Sequence, residues 1–203
     1  MSVEPLKKKP RRVARLQDRA LDDLRYIRDT MERAGAFTHV SGWGQVFVGA
    51  TALVAAWVAS TRATPGAWLA TWLTGATAAF VIAGVSTHQK ARAAGESLFS
   101  APGRKFTLSF VPAMVLGAVL TAVLYRAEMM AALPGMWLMV YGTAVVACGA
   151  FSVRVVPVMG LAFMAVGAAA FAAPVGWGDI FMAIGFGGLH LIFGAIVARK
   201  YGG

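Results

Sequence analysis

Six stretches of this chain, at approximately 42–61, 66–88, 106–125, 129–153, 155–178 and 180–198, contain no Asp, Glu, Lys or Arg. Each reaches the roughly 17–25 residues that an α-helix needs to cross a bilayer. In lipid every backbone N–H and C=O must find a partner within the protein, which leaves helices or closed barrels. The alternating pattern of barrel strands is missing. The expected fold is therefore all-α, a polytopic membrane protein with six transmembrane helices. Composition agrees, since only 14% of positions are charged against about a quarter in soluble domains.

The charges between these blocks predict an orientation. Seventeen Lys and Arg residues fall on the side of the two termini, and only Arg62 and Arg126 on the other. Basic loops stay in the cytoplasm, so both termini are expected there, in a bacterial inner membrane. The first block begins too far from Met1 for a secretory signal peptide, and Arg11-Arg12 is followed by charges every few positions, unlike a twin-arginine signal. Trp68, Trp137 and Trp177 fall near the outer ends of spans 2, 4 and 5, and Trp43 at the inner boundary of span 1, where indoles form interfacial belts.

Short matches hint at three helical hairpins. Span 2 opens with PGAWL and span 4 with PGMWL, while spans 3 and 5 enter through VPAMVL and VPVMGL. Proline near a helix start and tryptophan at an interface also recur for local reasons. Gly75, Ala79 and Ala83 in span 2, and Ala165, Ala169 and Ala173 in span 5, repeat at four-residue spacing, which lets helix backbones approach in lipid.

Ahead of the spans, residues 1–12 form a basic tail, whose Lys7, Lys8, Lys9, Arg11 and Arg12 are expected to meet anionic lipid. No nucleic-acid-binding fold accompanies them. Residues 13–35 then read as a cytoplasmic amphipathic helix. Val13, Leu16, Ala20, Leu24, Ile27, Met31 and Ala34 recur at intervals of three and four, which is one helical stripe. Acids at Asp18, Asp22, Asp23, Asp29 and Glu32 weaken a purely lipid-surface role. The stripe points to a homo-oligomer or protein partner, met at Leu16, Leu24, Ile27 and Met31. Residues 36–203 make up the six-helix domain.

Chemistry inside a bilayer usually announces itself as ionisable residues within the spans, and the blocks carry no Asp, Glu, Lys or Arg. This argues against a proton-coupled pump, a Schiff-base pigment protein and an aspartyl intramembrane protease. Ser86 and His88 are neighbours without a GxSxG motif, and Cys148 stands alone in an apolar run. The three histidines argue against a tetrahedral zinc cage. His190, beside Gly187 and Gly188, is either a ligand to haem or pigment, with His88 as its companion, or a packed residue hydrogen-bonded to a neighbouring helix.

The stretch LRYIRDTMERAGAFTHVSGWGQVFVGATALVAA, at 24–56, and the tail HLIFGAIVARKYGG, at 190–203, resemble uncharacterised bacterial six-span inner-membrane proteins from GC-rich genomes. The resemblance implies a multi-span inner-membrane protein and brings no activity with it. The leading reading is thus a non-enzymatic integral membrane protein, an accessory subunit, scaffold or membrane-embedded sensor acting through its cytoplasmic helix, with no cofactor expected. Two others stay open: a channel or carrier for a small neutral or apolar solute, and a haem- or pigment-binding subunit using His190 and His88.

Overall fold

A computed structural model of the chain describes residues 19, 21–24, 26–27, 31, 39–95 and 100–201. The chain divides into two compact units, Met1–Ala36 and Phe37–Gly203. In the first, the described residues are helical. In the second, six helices are long and apolar enough to cross a membrane, and no strand occurs among the described residues.

Five of the spans are α1 (Gly42–Ser60), α2 (Pro65–Ala93), α3 (Ala101–Arg126), α4 (Leu133–Gly149) and α5 (Val155–Ala172). A short 3₁₀ turn, Met130–Ala132, leads into α4. The sixth span, Val175–Tyr201, is composite. It passes from a 3₁₀ turn (Val175–Trp177) through α6 (Gly178–Met182) and a π-helical stretch (Ala183–Leu189) into α7 (His190–Tyr201).

Local chemistry sets the helix starts and stops. Ser41, Thr64 and Ser100 cap α1, α2 and α3 by accepting the backbone N–H of Gly44, Ala67 and Gly103, each satisfying a donor that a helix start leaves unpaired. Helices α2 and α3 run beyond their charge-free blocks and take Lys90, Arg92, Arg104 and Lys105 into helix, because long basic side chains reach water from a helix end. Helix α5 stops at Ala172, short of the expected 178. Pro174 pushes Ala173 to an extended conformation with ψ 161°.

The spans assort into two groups. Helix α1 packs on α2 and on the sixth span, and α4 packs on α3 and α5. The second group is therefore continuous in sequence, while the first is assembled from both ends of the six-helix unit. Each group is built on an antiparallel glycine seam. Gly42 lies against Ala198, and a Cβ on Gly49 would sit 2.8 Å from the carbonyl oxygen of Gly187. In the other group a Cβ on Gly142 would lie 2.7 Å from the Gly160 oxygen, and Gly149 faces Pro157. Residue numbers rise along one helix as they fall along its partner. Glycine is needed here because no side chain fits between the two backbones, and such approach is what holds helices together in lipid.

Glycines spaced by seven line these seams: Gly42 and Gly49 on α1, Gly135, Gly142 and Gly149 on α4, Gly160 and Gly167 on α5, and Gly187 and Gly194 on the sixth span. The expected alanine stripe of α5 turns outward instead, with Ala165 and Ala169 exposed. Gly75 of α2 does pack closely, against Ala55. Aromatic side chains fill the space between the two groups. Phe163 meets Phe186, Trp68 stacks on Trp137, and Phe80 meets Phe110 edge-on. Leu138, Phe163, Met182 and His190 are fully buried at this junction.

Candidate functional site

His190 opens α7 directly after the π-helical stretch, and its side chain lies where the two groups meet. Its Nδ1 is 2.9 Å from the carbonyl oxygen of Phe186, four residues earlier. A carbonyl oxygen only accepts, so Nδ1 carries the proton of the neutral ring and donates it. Nε2 is then the acceptor, and it receives the hydroxyl of Tyr141 on α4 at 2.8 Å. Both ring nitrogens are thus engaged, one within the span and one across the junction.

Aromatic rings enclose this pair. Phe163 meets the Tyr141 and His190 rings at centroid distances of 4.8 and 5.2 Å, and Phe110 meets Tyr141 edge-on. A metal or haem iron at His190 would have to displace the Tyr141 hydroxyl from Nε2. His88, its expected companion, is exposed on α2 and stands outside this cluster. His39 is buried just ahead of α1. Among the described residues, no group of three or more His, Cys, Asp or Glu side chains comes together.

A second polar cluster lies at the opposite end of the six-helix unit from Gly42 and Tyr201. Asp179, at the start of α6, accepts the indole N–H of Trp68 at 2.8 Å and of Trp72 at 3.1 Å, both on the same carboxylate oxygen. Trp137 stacks flat on Trp68 and donates its own N–H to the Thr121 hydroxyl. Trp68 and Trp137 therefore join helices, while Trp43 and Trp177, 58% and 51% exposed, keep the surface placement expected of belt residues. Asp179 stands one residue before the sixth charge-free block, which is why a search for acids inside the blocks passes over it. The four-residue spacing of Trp68 and Trp72 is the one visible signal.

The end that carries most of the basic residues has its own tie. The Lys90 ammonium, near the end of α2, donates to the carbonyls of Val40, ahead of α1, and Tyr201, at the end of α7. A cation beside the last carbonyls of α7 also complements the helix dipole. One side chain thus links three spans at this end.

Of the residues expected to contact a partner, Leu24, Ile27 and Met31 are helical and 62%, 52% and 71% exposed. Leu16 and the basic residues Lys7, Lys8, Lys9, Arg11 and Arg12 lie outside the described residues. Comparison with protein-family models, with curated proteins and with solved structures finds no match to this chain.

Proposed function

We propose that this chain is a non-enzymatic subunit of a bacterial inner membrane, with both termini in the cytoplasm, that binds a protein partner through its N-terminal helix. The partner proposed first is another copy of the chain. The observation that carries this reading is the exposed stripe of Leu24, Ile27 and Met31, three large apolar side chains at intervals of three and four, outside the membrane-length helices. Apolar side chains aligned on a water-facing helix are characteristic of a docking face. The interior supports the same reading. His190 and Tyr141 hydrogen-bond one another, and Asp179 is taken up by two indoles.

The test is the assembly state of the full-length protein in lipid nanodiscs. Two or more chains per particle are expected, falling to one in the double variant Leu24→Asp, Ile27→Asp. A single chain per particle in the unmodified protein removes self-association. An oligomer untouched by the double variant moves the contact elsewhere.

A further inference from the structure

The hairpin α1–α2 and the hairpin α4–α5 match one another in sequence. Residues 51–78 align with residues 143–170 without a gap, at a constant offset of 92, and twelve of 28 positions are identical. Among them are Ser60 and Ser152, Arg62 and Arg154, and Pro65 and Pro157. Only five of the twelve are alanine pairs, so the match does not come from the chain's alanine content. The third spans align over a shorter stretch, with Gly117-Ala118 of α3 on Gly194-Ala195 of α7, an offset of 77.

Each helix and its copy are three spans apart, an odd number, so the copies cross the membrane in opposite directions. The packing obeys the same exchange. Helix α1 packs on α2 and the sixth span, and α4 packs on their counterparts α5 and α3. Gly49 meets Gly187, and the equivalent pair, Tyr141 and Phe110, meets edge-on. Each three-helix group is thus two spans of one repeat joined by the third span of the other.

The third spans are interrupted at the same place. Pro112 lies inside α3, and its counterpart Leu189 ends the π-helical stretch of the sixth span. Proline has no N–H for the carbonyl four residues earlier, and π-helical turns recur at functional sites. Interrupted helices at matching positions of two inverted repeats mark the midplane substrate site of many transporters. Both interruptions here reach one side chain. Phe110 from α3, and Phe186 and His190 from the sixth span, all meet Tyr141 at the middle of α4.

We propose that this chain is a carrier for a small uncharged molecule with one hydroxyl group on a flat apolar body, and that this solute binds between Tyr141 and His190. The activity is separate from the N-terminal contact, which lies outside the membrane-length helices. The charge-free blocks leave an ion without a counter-charge, and Phe110, Phe163 and Phe186 supply flat apolar walls. A hydroxyl both donates and accepts. It can therefore enter the existing bond, donating to Nε2 of His190 and accepting from Oη of Tyr141, with neither group left unpaired. A ketone or ether, which only accepts, would leave Nε2 without its donor. The site is closed in this structure, with Phe163 and His190 fully buried. A glycine seam holds each group together, while side chains meet between the groups, so the groups part as bodies. Because they are inverted copies, an opening toward one surface has a counterpart toward the other.

The test is labelling of the full-length protein by an impermeant methanethiosulfonate, in intact cells and in inverted membrane vesicles. Phe110→Cys in a Cys148→Ala chain places the thiol at the site. Ala113→Cys, the counterpart of His190 on α3 and half-buried, is the milder companion. Both should be labelled from either surface. Phenol and toluene, similar in shape and differing by the hydroxyl, are the probes. Phenol should slow labelling at about one-tenth of the toluene concentration, the worth of one net hydrogen bond. His190→Leu should erase that advantage while toluene still protects. Labelling from one surface only, or from neither, overturns the carrier. Equal potency of phenol and toluene with His190 in place overturns the hydroxyl-bearing solute.

Discussion

The Tyr141 hydroxyl and the His190 ring are forty-nine residues apart in sequence and 2.8 Å apart between Oη and Nε2. This bond joins α4 to α7, and so joins the two three-helix groups. Tyr141→Phe should leave Nε2 without a donor in a site closed to water. Bonds of this kind between membrane helices contribute about 0.6 kcal/mol on average and up to about 1.7. A drop in thermal midpoint in detergent is expected, with much of it absent when the same change is made in a His190→Leu background. Additive losses in the double variant would mean that the two residues do not couple.

The seams predict a sharp contrast among glycines. Gly49→Ala and Gly142→Ala place a methyl group within 2.8 and 2.7 Å of a facing carbonyl oxygen, so the helices must separate. Each should destabilise by about 1–3 kcal/mol, as overpacking generally does. Gly84→Ala, where an added Cβ meets nothing within 4 Å, should be neutral or stabilising by up to about 1 kcal/mol from helix propensity. Equal melting temperatures for all three would dismiss the seams as the source of cohesion.

Asp179 predicts a graded pair. Asp179→Leu leaves the indole N–H groups of Trp68 and Trp72 without their acceptor and should cost about 1–3 kcal/mol. Asp179→Asn keeps a carbonyl oxygen to accept them and should cost less. Tryptophan fluorescence gives a local readout, with a larger change in the leucine variant. The reverse ranking would show that charge, and not acceptance, matters here.

Gln45 is expected to be improvable. Its Oε1 is buried without a hydrogen-bond partner, and its Cβ lies where α1 meets Gly194 of α7. A buried unpaired acceptor costs about 1–3 kcal/mol. Gln45→Leu should therefore raise the melting temperature, and a lower value would indicate that the amide is satisfied by something bound in the membrane.

Orientation predicts labelling. Single cysteines replacing Arg62 or Arg126, in a chain whose own Cys148 is buried, should react with an impermeant maleimide added outside intact cells. A cysteine at Arg154 should react only after the membrane is opened. The opposite pattern would invert the proposed topology.

Six charge-free blocks made the spans legible, since a missing charge is a local property that any stretch of sequence carries by itself. Their ends were less so. Lys90 and Arg104 mark the edge of the apolar block, not the end of the helix, while Ala173 yields to a proline that follows it. His190 was visible as an isolated imidazole, but its partner was not. Nothing near Tyr141 in sequence says that α4 will face α7. Asp179 was hidden by standing just outside a block, and its two tryptophans looked like interfacial residues because position along a helix does not reveal which way a ring faces. The glycine pairs at seven-residue spacing were readable, yet four-residue alanine runs in so alanine-rich a chain obscured them.

The first group is assembled from both ends of the six-helix unit, and this gives synthesis a schedule. Helices α3, α4 and α5 can pair with one another as they emerge. Helix α1 cannot close its seam until the sixth span is made, since Gly49 meets Gly187. At about 5–20 residues per second, roughly seven to thirty seconds separate the two. Through that interval the glycine face of α1 stands open in the bilayer, available to an insertase, a neighbouring chain or a quality-control protease. The sixth span is the one that closes the glycine face of α1.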